Sequence, residues 1–303
     1  MIMEGISNEF LLEDRLARIR SVINKYGEQN FYMTFSGGKD STVMHHLFDM
    51  ALPGNQIPRV FADTGIELNE IRKFVKSLKE NDQRIVMLPP TMPIKETLEK
   101  HGYPFCSKQH SAVWDLYSRL GFESVSVKAY YEHTFNYHSN QCPNILKYQF
   151  SESFSGLKIS DKCCDYLKKK PMDKFSKESG RKIAIVGIMA AEGGRRSTAV
   201  CLAFQGKKLK QFHPLAPISL DWEKWFIDAY NIPLCKVYYP PYNFKRTGCK
   251  GCPFNLYLQR DLETLQTYFP NERKQCEDIW KPVYDEYRRI GYRLKKEEQI
   301  RMI

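Results

Sequence analysis

Long apolar segments are missing from this sequence of 303 residues. No stretch reaches the roughly 18 consecutive apolar residues of a membrane-spanning helix, so we expect no transmembrane segment. The beginning of the chain reads MIMEGISNEF and lacks a basic start followed by an apolar run, so we expect no secretory signal either. Internal repeats and low-complexity tracts are also missing, and the ordinary composition excludes a collagen, a coiled coil and a wholly disordered tail. These absences predict a cytoplasmic globular protein without a membrane partner.

Composition and charge indicate which kinds of molecule this protein is expected to bind. Hydrophobic residues make up 42% of the chain and charged residues 27%, as in ordinary globular proteins. At about 150 residues per domain, the length predicts one large domain or two modest ones. The 46 Lys and Arg residues exceed the 35 Asp and Glu residues, which gives a net charge of +11. Such an excess favours anionic partners, namely nucleotides, nucleic acid or an acidic protein, although a solvated basic surface also explains it.

Nine cysteines are present, and the cytoplasm would keep them reduced. Two pairs have the tight spacing that is typical of metal ligands or reactive thiols: Cys163 and Cys164 are adjacent, and Cys249 and Cys252 form a CxxC motif. Four thiolates suffice for a tetrahedral zinc ion or for a [4Fe–4S] cluster. The residues alone leave open a cluster, a zinc ion, a bare redox pair or buried structural thiols.

Alternating apolar and helical patterns predict an α/β fold with a doubly wound, mostly parallel sheet. A C-terminal cysteine-bearing loop and charged helices follow it. We divide the chain into an N-terminal helix (1–30), a nucleotide-binding α/β domain (31–240), and a CxxC loop with a helical extension (241–303). The stretch 130–160 has no clear period and is interpreted as a loop or insertion. The expected strands are 31–35, 57–62, 84–88 and 183–189, and the expected helices include 8–26 and 67–80.

A glycine-rich turn, SGGKDS, lies directly between the first predicted strand and a helix. Its glycines let backbone N–H groups approach an anion closely, and the start of the next helix favours phosphate. Its spacing is not that of a Walker loop. A simple β–α turn with capping residues is the alternative. We therefore predict that the turn encloses nucleotide phosphates through Ser36, Gly37, Gly38, Lys39, Asp40 and Ser41.

The turn resembles the PP-loop of the adenine nucleotide α-hydrolase superfamily. Four further segments resemble the phosphoadenosine phosphosulfate (PAPS) reductase family: FADTGIELNEIRKFV (61–75), SDKCCDYLKKKPMDKF (160–175), GIMAAEGGRRST (187–198) and FHPLAPISLDWEKWFIDAYNIPLCKVYYP (212–240). Met189 and Gly193 stand where the family has arginine and serine. The resemblance runs from about residue 31 to 255 and implies an adenine nucleotide α-hydrolase-like fold.

The resemblance also implies site residues. The bound adenine nucleotide would be ATP or PAPS. Asp63, Thr64 and Gly65 would border its nucleoside, with Asp63 holding Mg²⁺, orienting the ribose or merely capping a helix. Arg196, oriented by Glu192, would pair with a phosphate or sulfate, and Arg195 is its possible substitute. Lys39, Asp40 and Arg196 are the predicted catalytic residues. The implied metal centre is a [4Fe–4S] cluster on Cys163, Cys164, Cys249 and Cys252, with zinc as the alternative. Lys162, Arg246 and Lys250 would offset its charge.

Three functions follow from the resemblance. The first is ATP-dependent adenylation of an acceptor followed by sulfur transfer, which needs a sulfur donor. The second is reduction of PAPS or adenylyl sulfate, which needs a thiol reductant, and the third is a non-catalytic nucleotide sensor. Reductases of the family carry a catalytic cysteine in an ECG-[IL]-H setting near the C-terminus, which this chain lacks. We therefore favour ATP cleavage. A nucleic-acid partner is a further expectation, through the basic residues Arg288, Arg289, Arg293, Lys295 and Lys296.

Overall fold

The computed structural model describes residues 7–134, 141–154, 156–193 and 196–296. The chain forms two compact units, and each is discontinuous in sequence. The sheet unit runs up to Asp63 and includes Asn69–Pro89 and Pro171–Gly248. The cysteine unit comprises Thr64–Leu68, Pro90–Lys170 and the chain from Cys249 onward. None of the helices in these described ranges is both long enough and apolar enough to cross a membrane.

The sheet unit contains six strands in the order β3-β2-β1-β4-β6-β5. All neighbouring strands are parallel except β5 and β6, which are antiparallel. This mostly parallel sheet with flanking helices confirms the predicted α/β class. The strands are β1 (Phe31–Thr34), β2 (Arg59–Ala62), β3 (Ile85–Leu88), β4 (Ile183–Ile185), β5 (Leu202–Gln205) and β6 (Lys208–Phe212).

Helices cover the sheet with their apolar faces. In α1 the Ser7 hydroxyl caps the first turn by accepting from the Phe10 amide at 3.1 Å. The buried positions of α1 recur every three or four residues, as an amphipathic helix requires. They join side chains of the strands in one apolar core. The helices of this unit are α1 (Asn8–Tyr26), α2 (Lys39–Ala51), α3 (Asn69–Asn81), α8 (Lys170–Ser179, which begins at the unit boundary) and α9 (Leu220–Ala229).

The order of the strands reverses at β1. The chain passes from β1 to β2 on one side, and β4 pairs with β1 on the other side. In open parallel sheets such a switch point leaves a crevice beyond the carboxyl ends of the two diverging strands. The glycine turn follows β1, and the segment that begins at Val186 follows β4. The topology therefore places these two segments at the position where such sheets bind ligands.

Two details of the predicted sheet were wrong. The run 183–189 is a strand only over Ile183–Ile185, because the chain leaves the sheet at the switch point. The antiparallel hairpin that β5 and β6 form around the basic stretch 207–210 was not predicted. Within β6, Leu209 and Phe212 are buried, while Lys208, Lys210 and Gln211 are exposed. The sequence feature that could have predicted this hairpin is Gly206, which lies at the tight turn between two short alternating segments.

The described part of the cysteine unit is mainly helical. It contains α4 (Ile94–His101), α5 (Lys108–Leu120), α6 (Val125–Glu132), α7 (Lys162–Cys164), α10 (Leu258–Tyr268) and α11 (Pro270–Ile290). A π-helical turn, Asp165–Lys169, continues α7 toward α8. The stretch 130–160, predicted as a loop, includes the end of α6 and a 3₁₀ helix over Asn144–Phe150. Residues 135–140 and 155 of that stretch lie outside the described residues.

A buried ion-pair network links α2 to the beginning of β2. The Arg59 side chain is fully buried, and its guanidinium contacts Asp49 Oδ1 at 2.8 Å, Asn55 Oδ1 at 2.6 Å and His45 Nδ1 at 3.2 Å. Arg84 reaches the same Asp49 carboxylate at 2.7 Å. Burial is the main cause that lowers the pKa of Arg59 to about 10 and that of His45 to about 4, so His45 is neutral at pH 7. His45 therefore has a structural role, as an acceptor in this network.

We predict that Asp49→Ala lowers the free energy of unfolding by about 3–5 kcal/mol, because it leaves the Arg59 guanidinium buried without its carboxylate. Urea denaturation measures this loss. The matched control is Glu178→Ala, which removes an exposed ion pair with Lys174 at 3.8 Å and should change stability by less than about 1 kcal/mol. Equal effects of the two substitutions would contradict a structural role for the network.

Candidate functional site

The glycine turn after β1 is packed tightly against α3. Gly37 has a φ of +66°, which side chains rarely adopt. A Cβ atom at Gly37 would lie 2.7 Å from Val75 Cγ2 and 3.1 Å from Ile71 Cγ2. The turn therefore requires glycine at this position both for its backbone conformation and for its close approach to the helix.

Three amides of the turn donate to side-chain hydroxyl groups. The Ser36 amide donates to Ser41 Oγ, the Gly38 amide donates to Ser36 Oγ, and the Lys39 amide donates to the Tyr238 hydroxyl, each at 3.2 Å. The turn leads into α2, whose first amides and dipole favour an anion. Phosphate oxygens can replace hydroxyl oxygens as acceptors of such amides. The turn therefore has amide donors that could serve phosphate oxygens, and the phosphate-binding role of residues 36–41 stays a prediction.

Tyr238 and Thr247 complete the wall of the turn, and the sequence analysis missed both. Their side-chain oxygens lie 2.6 Å apart. A Cβ atom at Gly38 would lie 3.2 Å from Thr247 Oγ1 and 3.3 Å from the Tyr238 hydroxyl. Burial raises the pKa of Tyr238, so its hydroxyl stays neutral. The sequence around Tyr238 shows only an aromatic run (238–244) without helical or strand periodicity. Such a run does not indicate which residues its side chains contact.

Lys39 is engaged with a carboxylate that lies inside the sheet unit. Its Nζ lies 2.5 Å from Glu223 Oε2, and the Glu223 side chain on α9 is fully buried. Burial raises the pKa of Glu223 to about 7, and the negative charge of Asp40 contributes to this shift. The predicted catalytic residues Lys39 and Asp40 therefore share one charged cluster with Glu223, which the sequence analysis did not select.

A second cluster of charge follows β4. Glu192, whose side chain is 8% exposed, pairs with both Arg196 and Arg246. The Arg196–Glu192 contact agrees with the predicted orienting role of Glu192. Arg246 was expected beside the cysteines, but it pairs instead with Glu192. It precedes Thr247, a contact of the glycine turn. Arg195, the suggested substitute for Arg196, lies outside the described residues.

The DTG segment is divided between the two units. Asp63 directly follows β2 and accepts a hydrogen bond from Arg72 at 2.7 Å. Thr64 belongs to the cysteine unit, where its hydroxyl donates to Glu67 Oε1 at 2.5 Å and lies 3.9 Å from Cys249 Sγ. Gly65 has open space where a Cβ atom would be. The predicted nucleoside contact of these three residues stays a prediction, and Thr64 gains a contact that the sequence did not suggest.

The four selected cysteines interact electrostatically within the cysteine unit. A hydrogen bond between the adjacent thiols raises the pKa of Cys163 and lowers that of Cys164. Burial raises the pKa of Cys252 to about 12, and the charges of Cys249 and Cys164 add to the shift. The chemistry of this donor set fits a thiolate-bound centre. Within the described ranges, however, no three His, Cys, Asp or Glu side chains are already gathered at metal-binding distances.

Lys168 supplies positive charge to the cysteines. The charges of Cys249, Glu67 and Cys164 raise its pKa, and the same lysine lowers the pKa of Cys249. Lys168 is half-buried, whereas Lys169 and Lys170 of the same lysine run are exposed. Two lysines expected beside the cysteines have other partners. Lys250 is buried against Glu272 at 3.2 Å, and Lys162 lies 3.9 Å from Asp165.

Side chains of helix α11 hold the CxxC loop by donating hydrogen bonds to the backbone carbonyl groups of the loop. Three buried side chains of α11 donate to successive parts of the loop: Trp280 Nε1 to the Lys250 carbonyl (3.0 Å), the Tyr284 hydroxyl to the Gly251 carbonyl (2.5 Å) and the Tyr287 hydroxyl to the Pro253 carbonyl (3.0 Å). The helix thus satisfies buried backbone acceptors and fixes the loop that carries Cys249 and Cys252.

Comparison with known proteins identifies part of the chain. Residues 30–120 match the family model described as the phosphoadenosine phosphosulfate reductase domain. The chain is therefore similar to that domain family over these residues. The PAPS reductase domain match includes the glycine turn and the DTG segment, and it confirms the predicted family. It ends before both cysteine pairs and before Arg196. No curated protein sequence matches the chain.

The solved structures that match the chain share little sequence with it. A phosphoadenylyl-sulfate reductase from Candida auris is 13% identical with a TM-score of 0.43, covering 81% of this chain and 96% of its own. An NH₃-dependent NAD synthetase from Campylobacter jejuni is 12% identical with a TM-score of 0.42, covering 92% and 95%. The U34-tRNA thiolase NcsA from Methanococcus maripaludis, solved with its [4Fe–4S] cluster, is 14% identical with a TM-score of 0.41, covering 91% and 80%.

We predict that Gly251→Ala destabilises the protein by about 1–3 kcal/mol and perturbs the CxxC loop. Gly251 has a φ of +61°, and a Cβ atom there would clash with the Tyr284 hydroxyl and lie 2.7 Å from Cys276 Sγ. Gly248→Ala is the matched control, because a Cβ atom at Gly248 meets nothing within 4 Å. Thermal unfolding of both variants checks the prediction. An equal, small effect of the two substitutions would show that α11 does not fix the loop.

Proposed function

We propose that the chain is an enzyme that binds ATP at the glycine turn and adenylates an acceptor. An acceptor oxygen attacks the α-phosphorus, the bond to the bridging oxygen breaks, and pyrophosphate leaves. A sulfur nucleophile from a donor then attacks the activated carbon of the acceptor, and AMP leaves with the oxygen. The observation that carries the proposal is the set of three turn amides, at the switch point of a parallel sheet, that donate to exchangeable hydroxyl oxygens.

The charged residues of the sheet unit suit this reaction. Amides of the turn and the α2 dipole offset the charge of bound phosphates. Lys39 supplies a mobile positive charge once it leaves Glu223. Arg196 and Arg246 are about half exposed and are held by one buried carboxylate, so their guanidinium groups are positioned to pair with the departing pyrophosphate. Asp63 is the candidate oxygen ligand for Mg²⁺.

Cys163, Cys164, Cys249 and Cys252 are the residues that would hold a [4Fe–4S] cluster. When bound, such a group supplies iron sites for sulfur binding and for electron transfer. In the protein itself, Lys168 offsets negative charge on the thiolates, and α11 fixes the loop that carries two of them. Zinc on the same four thiolates is the alternative.

Reduction of PAPS or adenylyl sulfate is the second candidate, and the PAPS reductase domain match favours it. That reaction needs an accessible cysteine thiolate to attack sulfur. The last cysteine of the chain, Cys276, is fully buried in α11, and burial raises its pKa to about 12. Because Cys276 is neither accessible nor ionised, it is not suited to be that thiolate. This observation favours ATP cleavage over reduction.

We predict that the purified protein, supplied with a sulfur donor and candidate acceptors, releases pyrophosphate from ATP and releases no sulfite from PAPS. Radiolabelled nucleotides measure both products. Arg196→Lys should slow the reaction by about tenfold or more, because a lysine cannot reproduce the guanidinium fork. Arg119→Lys, at an exposed ion pair of α5, is the control and should leave the rate unchanged. Sulfite release without pyrophosphate release would overturn the proposal in favour of the reductase.

We predict that anaerobically reconstituted protein is brown, with a broad absorption near about 400 nm. Cys249→Ser should bleach this absorption, since it removes one of four ligands. Cys201→Ser, at a half-exposed thiol of the sheet unit, is the control and should keep the colour. A colourless protein that contains one zinc per chain would assign the site to zinc instead.

A further inference from the structure

The Lys39 ammonium cannot pair fully with Glu223 and with a bound phosphate at the same time. Its ammonium lies 2.5 Å from Glu223 Oε2, and the Glu223 side chain is fully buried while that of Lys39 is 29% exposed. A phosphate bound by the turn would compete for the same ammonium. One ammonium at the edge of the site must therefore either neutralise the buried carboxylate or pair with the ligand.

If Lys39 moves away, the groups around Glu223 cannot neutralise the negative charge of its carboxylate. The charged groups that face Glu223 in the described structure are Lys39 and Asp40, both from α2, and Asp40 is of like charge. The neighbour of Glu223 on α9, Asp221, is exposed and does not contribute. A carboxylate left buried without a cation is strongly disfavoured, and a proton is the remaining way to remove its charge.

We propose that Glu223 is a proton-linked positioning residue, which holds Lys39 while the turn is empty and takes up a proton from water when nucleotide phosphate draws Lys39 away. This inference rests on the proposed nucleotide site. The exchange breaks one ion pair, forms another between Lys39 and phosphate, and adds one proton to a Glu223 oxygen. Its consequence is that nucleotide binding by this chain consumes a proton from the medium.

The electrostatics give the direction of the pH dependence. The pKa of Glu223 is about 7 even with Lys39 beside it, and burial is the main cause. Lys39 lowers this pKa, so its departure raises it further. At about pH 8 the carboxylate is mostly ionised in the empty protein and protonated in the complex. Affinity for the nucleotide should therefore fall as the pH rises above 7, by up to about tenfold per pH unit for one linked proton.

The test is titration calorimetry of α,β-methylene-ATP, which cannot be cleaved between its α and β phosphates. Binding is measured at pH 8 in Tris and in HEPES, whose different ionisation enthalpies report the number of protons taken up. Compared with Glu223→Gln, the wild-type protein should take up about one additional proton and should show the steeper loss of affinity between pH 7 and 9. Asp221→Asn, on the exposed face of the same helix, is the matched control and should behave as wild type.

Difference infrared spectroscopy gives a second measurement that does not depend on a variant. Addition of the nucleotide to wild-type protein should produce a band of a protonated carboxyl group. Equal proton uptake by wild type and Glu223→Gln, or no such band, would overturn this inference while nucleotide binding itself remained intact. Failure of the wild-type protein to bind the nucleotide at all would instead refute the proposed function, and this inference with it.

Discussion

Backbone amides at the turn after β1 need oxygen acceptors, and the sheet unit is arranged around that need. Gly37 brings the turn against α3 so closely that no side chain fits. In the described structure, hydroxyl groups of Ser36, Ser41 and Tyr238 accept from them. The same arrangement suits phosphate oxygens. Segments distant in sequence, around Tyr238 and Thr247, are held in place by this requirement.

A parallel constraint acts on backbone carbonyl groups in the cysteine unit. The loop that carries Cys249 and Cys252 has buried carbonyls, and three side chains of α11 donate to them. The C-terminal helix was expected to be a basic extension that contacts nucleic acid. Its buried face instead orders the loop, while Arg288 and Arg289 engage acidic side chains of the same helix. Its role is therefore first structural, and contact with nucleic acid stays a prediction.

Local patterns were enough to predict the α/β class, α1, the first three strands and the glycine turn, because strand, turn and helix signals lie within a few residues of one another. The partners of the site could not be predicted in this way. Glu223 lies on an amphipathic helix, and only the packing of α9 shows that its carboxylate meets Lys39. Lys168 looked like part of a solvated run, yet the π-helical turn after Cys164 directs its charge toward the thiols. Such pairings depend on tertiary contacts between segments that are distant in sequence, 184 residues for Lys39 and Glu223 and 81 for Lys168 and Cys249, which a single sequence does not encode locally.

The central claim is that the turn amides hold the phosphates of an adenine nucleotide. A crystal structure of the protein with α,β-methylene-ATP tests it most directly. The account predicts phosphate oxygens about 3 Å from the amides of Gly38 and Lys39, with the hydroxyls of Ser36 and Tyr238 displaced as acceptors. Nucleotide bound elsewhere, with the hydroxyl acceptors still in place at the turn, would contradict it.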